Sequence, residues 1–198
     1  MSDSNTLHFF YGPMASGKSA KLIQEYYNFN KKNADAWAIK PVVDIRTSEP
    51  KITSRLGIEC PATIMKEIKW EDIIRTREFY SKIYLIDEVQ FFKPKDINNL
   101  IKLADTYQRL IYCYGLLVDI NEKLFPASKR LIEVGANLHP LDTTCEMIGC
   151  MGTATHHLRY HPSGYLLKGG KSVEVDDGHV VYKSVCRQCY NREMQKFR

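Results

Sequence analysis

The chain has 198 residues, 44% of them hydrophobic and 26% charged, which is enough apolar content for a real core and excludes a wholly disordered protein. The net charge of +5 comes from lysines and arginines scattered along the chain, so a nucleotide explains it as well as a nucleic acid does. Residues 1–6 lack the basic and apolar regions of a secretory signal, and no apolar run approaches the length of a bilayer span. The expectation is a soluble cytoplasmic protein whose six cysteines serve metal binding or buried thiols more than disulfides.

The apolar run Leu7-His8-Phe9-Phe10-Tyr11 reads as a first strand, followed directly by Gly12-Pro13-Met14-Ala15-Ser16-Gly17-Lys18-Ser19. This octet fits Gly-x-x-x-x-Gly-Lys-Ser at every fixed position and leads into a helical stripe of Leu22, Ile23, Tyr26, Tyr27 and Phe29 between Ser19 and Lys32. Strand, glycine-rich turn and helix N-terminus together are a phosphate-binding loop. Backbone N–H groups cradle phosphate oxygens, Lys18 reaches the outer phosphates, and Ser19 can hold Mg²⁺. A nucleoside triphosphate is the expected ligand, with Gly12 through Ser19 as its binding residues.

Ala36-Trp37-Ala38-Ile39 is a short buried strand, and Lys40 to Gly57, with Pro41 and Pro50, reads as a loop able to cover a site. A weak helix spans Trp70 to Phe79. Lys82-Ile83-Tyr84-Leu85-Ile86 then forms a buried strand that delivers Asp87-Glu88 at its C-terminal end. Asp96 reads as the N-cap of a helix reaching about Thr106. Leu110-Ile111-Tyr112-Cys113-Tyr114 is another strand, ending at Gly115, and Pro126 to Val134 another helix. Strands alternating with helices predict an α/β protein, a mainly parallel P-loop sheet with helices on both faces. From Cys145 the composition shifts to cysteines, histidines and hairpin-like runs, which places a nucleotide-binding domain at 1–144 and a small second domain at 145–198.

Asp87, at the end of an apolar strand in a chain with a phosphate loop, is the expected Mg²⁺-side carboxylate with Ser19. Glu88 lies beside the phosphates, where it can take a proton from an attacking hydroxyl or water. Cys145-x-x-x-x-Cys150 and Cys186-Arg187-Gln188-Cys189 read as the two knuckles of a tetrahedral Zn²⁺ ribbon holding together a segment too small for its own core. The first knuckle is wider than usual, and His156, His157 and His161 are nearby substitute ligands. Cys60 and Cys113, each alone among apolar neighbours, read as core residues.

These motifs, together with Lys40-Pro41-x-x-Asp44-x-Arg46-Thr47-Ser48, Asp87-Glu88-Val89-Gln90-Phe91-Phe92, Gly115-Leu116 and Tyr182-Lys183-Ser184-Val185-Cys186-Arg187-Gln188-Cys189-Tyr190, resemble the tetrameric, zinc-containing thymidine kinase family over nearly the whole chain. The resemblance implies ATP-dependent phosphorylation of the 5′-hydroxyl of thymidine, or alternatively of a related deoxynucleoside, by a homotetramer, with Glu88 the base for the 5′-hydroxyl. It implies that Asp44 and Arg46 lie near the phosphates and that Asp87, Glu88, Val89 and Gln90 border the ATP site. Met14, Phe91, Leu116, Ile120, Phe125, His157 and Tyr182 would line the nucleoside pocket. A lasso loop braced by the zinc ribbon would close over the base, and its main chain at Val173, Glu174, Val175, Asp176 and Asp177 would read it. The chain departs from the family pattern at Leu117 and Ile120, where Asp and Phe are usual. His157 stands in place of a Thr that faces the thymine methyl, and the insert after it is long. A zinc-ribbon ATPase acting on nucleic acid is the competing reading, disfavoured because no basic stripe is interleaved with aromatics.

Overall fold

The run Leu7–Tyr11 forms strand β1 in the computed structural model, which describes residues 6–43, 49–76, 80–168 and 180–196. Helix α1 (Lys18–Lys31) starts immediately after Gly17, and β2 (Ala36–Pro41) brings the chain back alongside it. A small antiparallel pair, β3 (Lys51–Thr53) and β4 (Glu59–Pro61), precedes β5 (Thr63–Met65) and the single-turn helix α2 (Trp70–Ile73). There follow β6 (Ile83–Ile86), α3 (Pro94–Tyr107), β7 (Leu110–Gly115), α4 (Pro126–Glu133) and β8 (Asn137–Pro140). Six strands form one sheet in the order β5-β2-β6-β7-β1-β8, and every neighbouring pair is parallel.

Side chains alternate across a strand, and here both sets are apolar, so both faces of the sheet must be covered. Leu7, Phe9, Trp37, Ile39, Tyr84, Ile86, Ile111 and Cys113 face α3 and α4, whose Ile97, Leu100, Leu103, Ala127 and Leu131 complete that core. Ala36, Ala38, Ile83, Leu85 and Tyr114 face the other way, onto Leu22 and Ile23 of α1 and Ile52 and Cys60 of the β3/β4 pair. Cys60 and Cys113 are core residues, and burial pushes the Cys60 thiol up to about 12. Because β6, β7 and β1 are parallel neighbours, the C-terminal ends of β1 and β6 lie at the same edge of the sheet, where an α/β sheet presents its ligand site.

The remaining chain builds a three-stranded antiparallel sheet, β10-β9-β11, from β9 (His156–Tyr160), β10 (Leu166–Leu167) and β11 (Val181–Val185), closed by α5 (Arg187–Gln195). Its core is small: Cys145, Leu158, Leu166, Val185, Cys189 and Tyr190.

Three details differ from the sequence expectations. Asp96 is not the N-cap but the third residue of α3. Its Oδ2 accepts the Lys93 N–H at 2.8 Å and its Oδ1 accepts the Ile68 N–H at 3.0 Å, so it caps the helix and pins the preceding loop together. The helix expected over Trp70–Phe79 is confined to Trp70–Ile73, with 77–79 outside the described residues. The stretch from Lys40 to Gly57 is not all loop, since Lys51–Thr53 pairs with Glu59–Pro61 against α1. No helix among the described residues is long and apolar enough to cross a membrane.

Candidate active site and metal centre

The phosphate loop has little slack. A side chain at Gly12 would run into the Leu141 carbonyl oxygen and Ser16 Oγ, and Gly17 enters α1 with φ of 79°, a left-handed conformation that glycine adopts freely. Ala15 is also left-handed, φ 61°, which a residue with a Cβ adopts only under constraint. Lys18 is 8% exposed, and its Nζ donates to the Pro13 carbonyl at 2.7 Å and the Gly12 carbonyl at 3.1 Å, so the ammonium sits inside the loop. Ser19 Oγ donates to Asp87 Oδ2 at 3.0 Å. A hydroxyl against a carboxylate at the mouth of the loop is a set of hard oxygen donors, which suits Mg²⁺.

Asp87 directly follows β6 and is almost fully buried, its N–H bonded to the Ile39 carbonyl at 2.9 Å, and its Oδ1 accepts the Glu88 N–H at 3.0 Å. Glu88 itself is left-handed (φ 47°, ψ 43°) and opens the tight turn Val89–Phe91. A non-glycine residue in this conformation costs about 1 kcal/mol, and such strain is found where a side chain must be aimed at a site. Gln90 Nε2 donates to Glu88 Oε2 at 2.6 Å, and Gln90 Oε1 accepts the Leu116 N–H at 3.0 Å. Ser128 Oγ donates to the Leu116 carbonyl at 2.6 Å, so the segment after β7 is held from both sides.

Among the residues expected to contact nucleoside, Leu116 and Phe125 are buried, while Met14, Phe91, Ile120 and Tyr182 are half-buried. Ile120 lies in a turn organised by Asp119, whose Oδ1 accepts the N–H groups of Asn121 and Lys123 at 2.8 and 2.9 Å. The Arg159 guanidinium stands 6.0 Å from the Tyr182 ring centroid. His157 is 6% exposed. Its Nε2 accepts the Met14 N–H at 2.9 Å, and the Met14 carbonyl accepts a hydrogen bond from Ser184 Oγ at 2.8 Å. Burial, then the nearby Lys18 ammonium, pushes the His157 imidazole down to about 4, which keeps it neutral at pH 7. A cavity of about 250 Å³ adjoins the loop, bounded by Gly12, Pro13, Leu117, Leu141, Thr155 and His157 among others. Asp44, Arg46 and Val173, Glu174, Val175, Asp176 and Asp177 lie outside the described residues.

The four cysteine sulfurs of Cys145, Cys150, Cys186 and Cys189 lie within 4.8 Å of one another. Cys150 Sγ and Cys186 Sγ are 3.7 Å apart, close to the roughly 3.8 Å edge of a tetrahedron built on Zn–S bonds of about 2.3 Å. The wide first knuckle closes because Gly149 turns left-handed at φ 78°, and the Cys145 N–H then bonds the Gly152 carbonyl at 2.8 Å. The Cys189 backbone N–H holds the Cys186 thiol down to about 7, favouring the thiolate a metal needs. The histidines are engaged elsewhere: His157 on Met14, His156 Nε2 against Glu122 at 3.0 Å, and His161 Nδ1 against Ser163 Oγ at 2.7 Å. The cluster is therefore an all-sulfur set, compatible with zinc. Sequence reasoning missed Ser128 and the part of Ser184 in contacting Met14. Both are small hydroxyl residues whose meaning appears only with the partner backbone in place.

A complete phosphate-loop sequence, a carboxylate pair just past the adjoining strand and a four-cysteine cluster define a P-loop α/β protein with an attached ribbon whose cysteines are compatible with zinc. The chain belongs to the thymidine kinase family: the family model described as "Thymidine kinase" matches residues 5–190. It is 31% identical over 193 residues to a thymidine kinase of Mannheimia succiniciproducens, covering 96% of this chain and 97% of that one. It is likewise 31% identical over 190 residues to one of Haemophilus influenzae, covering 94% and 96%, and 30% identical over 194 residues to one of Enterobacteria phage T4, covering 96% and 98%.

Proposed function

We propose that the protein transfers the γ-phosphoryl group of ATP to the 5′-hydroxyl of thymidine, giving thymidine monophosphate and ADP. The observation that carries this reading is the meeting, at one edge of the sheet, of the Lys18 loop with Asp87 and Glu88, the Ser19 hydroxyl 3.0 Å from the Asp87 carboxylate. Family membership supports the choice of nucleoside. Phosphoryl transfer asks mainly for positioning and charge, and the loop N–H groups with Lys18 supply both on the donor side. Ser19 and Asp87 would hold Mg²⁺, which when bound neutralises charge on the transferring group. Glu88, aimed by its strained backbone and oriented by Gln90, is the acceptor of the 5′-hydroxyl proton. Asp44 and Arg46 serve the phosphates, and Met14, Phe91, Leu116, Ile120, Phe125, Tyr182 and the main chain of 173–177 enclose the nucleoside.

In the same reading Cys145, Cys150, Cys186 and Cys189 hold a structural Zn²⁺, residues 1–144 and 145–198 act as separate domains, and the chain works as a cytoplasmic homotetramer. Steady-state assays with ATP and, in turn, thymidine, deoxyuridine, deoxycytidine and deoxyguanosine test the function. The expected result is a kcat/KM highest for thymidine. Equal or higher efficiency with deoxycytidine or deoxyguanosine would overturn the assigned acceptor, and no turnover with any of them would overturn the reaction.

A further inference from the structure

Both backbone groups of Met14, in the middle of the phosphate loop, are bonded to the three-stranded sheet of the ribbon: the N–H to His157 Nε2 at 2.9 Å and the carbonyl to Ser184 Oγ at 2.8 Å. His157 on β9 and Ser184 on β11 are directly opposite one another in the antiparallel register, so a single rung of that sheet grips one residue of the loop. The described chain contains no cis peptide, and in a trans peptide the N–H and the carbonyl point to opposite sides. Holding the Met14 N–H toward the ribbon therefore turns the Pro13 carbonyl away from it. There the carbonyl accepts hydrogen bonds from Lys18 Nζ at 2.7 Å and the Ser16 N–H at 3.3 Å, which marks that side as the interior of the loop. Holding the Met14 carbonyl toward the ribbon turns the Ala15 N–H to the same interior side, where phosphate oxygens bind. Ala15 has to remain left-handed for this, a conformation an alanine leaves unless it is constrained.

The grip is itself rigidly mounted. Ser184 is 1% exposed, its N–H donates to the Glu146 carboxylate and its carbonyl accepts the Glu146 N–H at 2.9 Å. Glu146 follows Cys145 and Ser184 stands two residues before Cys186, so the rung hangs from the cysteine cluster. Burial keeps His157 neutral, leaving Nε2 free to accept with its proton on Nδ1.

We propose that His157 and Ser184 are positioning residues for ATP binding, holding the two peptide planes beside Met14 so that the Ala15 N–H faces the phosphates before the nucleotide arrives. This rests on the reading of the loop as an ATP site, and the test separates the two. ATP affinity is measured by calorimetry without nucleoside for wild type, His157→Gln, His157→Leu and Ser184→Ala, with zinc content determined for each. Gln places an acceptor oxygen near the position of Nε2, so its affinity stays within about twofold of wild type, whereas His157→Leu and Ser184→Ala each weaken ATP about three- to tenfold, the scale of one lost hydrogen bond. The KM for thymidine at saturating ATP changes less than the ATP affinity does. Wild type that fails to bind ATP would overturn the ATP-site reading itself. Wild-type binding with affinity unchanged in both His157→Leu and Ser184→Ala would overturn the grip alone, as would a loss in His157→Gln as large as in His157→Leu, or a thymidine KM that moves more than the ATP affinity. Ser184→Ala removes a single oxygen and decides the matter if His157→Leu does not fold.

Discussion

Gln90 Nε2 donates to Glu88 Oε2 across 2.6 Å, and because the same amide's oxygen accepts the Leu116 N–H at 3.0 Å, one side chain ties the end of β6 to the end of β7. The amide fits there only because residue 115 has no side chain: a Cβ on Gly115 would lie 2.5 Å from Gln90 Oε1 and 2.8 Å from Val89 Cγ1. Both the orientation of Glu88 and the backbone leading to Leu116 thus depend on a missing methyl.

Gly115→Ala tests this dependence. Overpacking against Val89 and the fixed amide is expected to cost about 1–3 kcal/mol, and displacing Gln90 leaves Glu88 without its orienting donor. Melting temperature and kcat should both fall, and the two are read together. A variant that melts with the wild type and turns over normally would show that Gln90 can move aside without consequence.

What the sequence made legible follows from burial on both faces. Ile83–Ile86 and Ala36–Ile39 are continuous apolar runs because helices cover the sheet on either side, and Gly12–Ser19 carries its chemistry in contiguous residues. Thr63–Met65 and Asn137–Pro140 are edge strands, three and four residues long and half exposed, so they carry no periodicity to read. Lys51–Thr53 and Glu59–Pro61 are joined by a short turn whose Leu56 and Ile58 are exposed, so the run shows no apolar face, and only one residue of each strand, Ile52 and Cys60, enters the core beside α1. At the site, the four cysteines were readable from their paired spacing, and the position of Glu88 from the apolar strand that precedes it. Gln90 as a bridge to Leu116, and Ser184 as a partner of Met14, were not, because each bond joins backbone far away in the chain.

Lys18→Ala removes the cation that sits within the loop against the Gly12 and Pro13 carbonyls. The outer phosphates lose their main positive partner, so transfer should fall by at least about a thousandfold, the scale of losing a cationic contact to a transferring phosphoryl group. The cysteine cluster lies in a different part of the fold, and zinc content should stay at the wild-type level. The assay is kcat/KM with parallel metal analysis. Near-normal turnover in a folded Lys18→Ala protein would remove the loop from the mechanism.

The four-cysteine cluster predicts about one zinc per chain in freshly purified protein. Cys189→Ser replaces a buried sulfur of the cluster with a hydroxyl, a poor ligand for zinc, and the small core around Leu158, Leu166 and Val185 has little else to hold it. Zinc should drop well below half occupancy, and proteolysis should begin within residues 145–196 while the parallel sheet resists. Metal analysis by mass spectrometry and limited digestion with peptide mapping supply the measurements. Full zinc retention in Cys189→Ser would mean that this sulfur is not a ligand.

Glu88→Gln separates proton transfer from positioning. The amide keeps the size of the side chain and one acceptor oxygen for Gln90, so the turn at Val89–Phe91 should persist, but its basicity is gone. Loss of a general base costs on the order of a hundredfold to ten-thousandfold, and a loose phosphoryl-transfer transition state leans less on a base, so the drop in kcat should lie near the lower end, about 2.7 kcal/mol of barrier. ATP affinity should hold, because Ser19 and Asp87 keep their own contact at 3.0 Å without Glu88. The KM for thymidine should change little, which a residue acting only to order the pocket would not allow. The measurements are kcat and KM for thymidine beside an independent ATP titration. An unchanged kcat would take the base role from Glu88, and lost ATP binding would move its duty to the phosphate and metal side of the site.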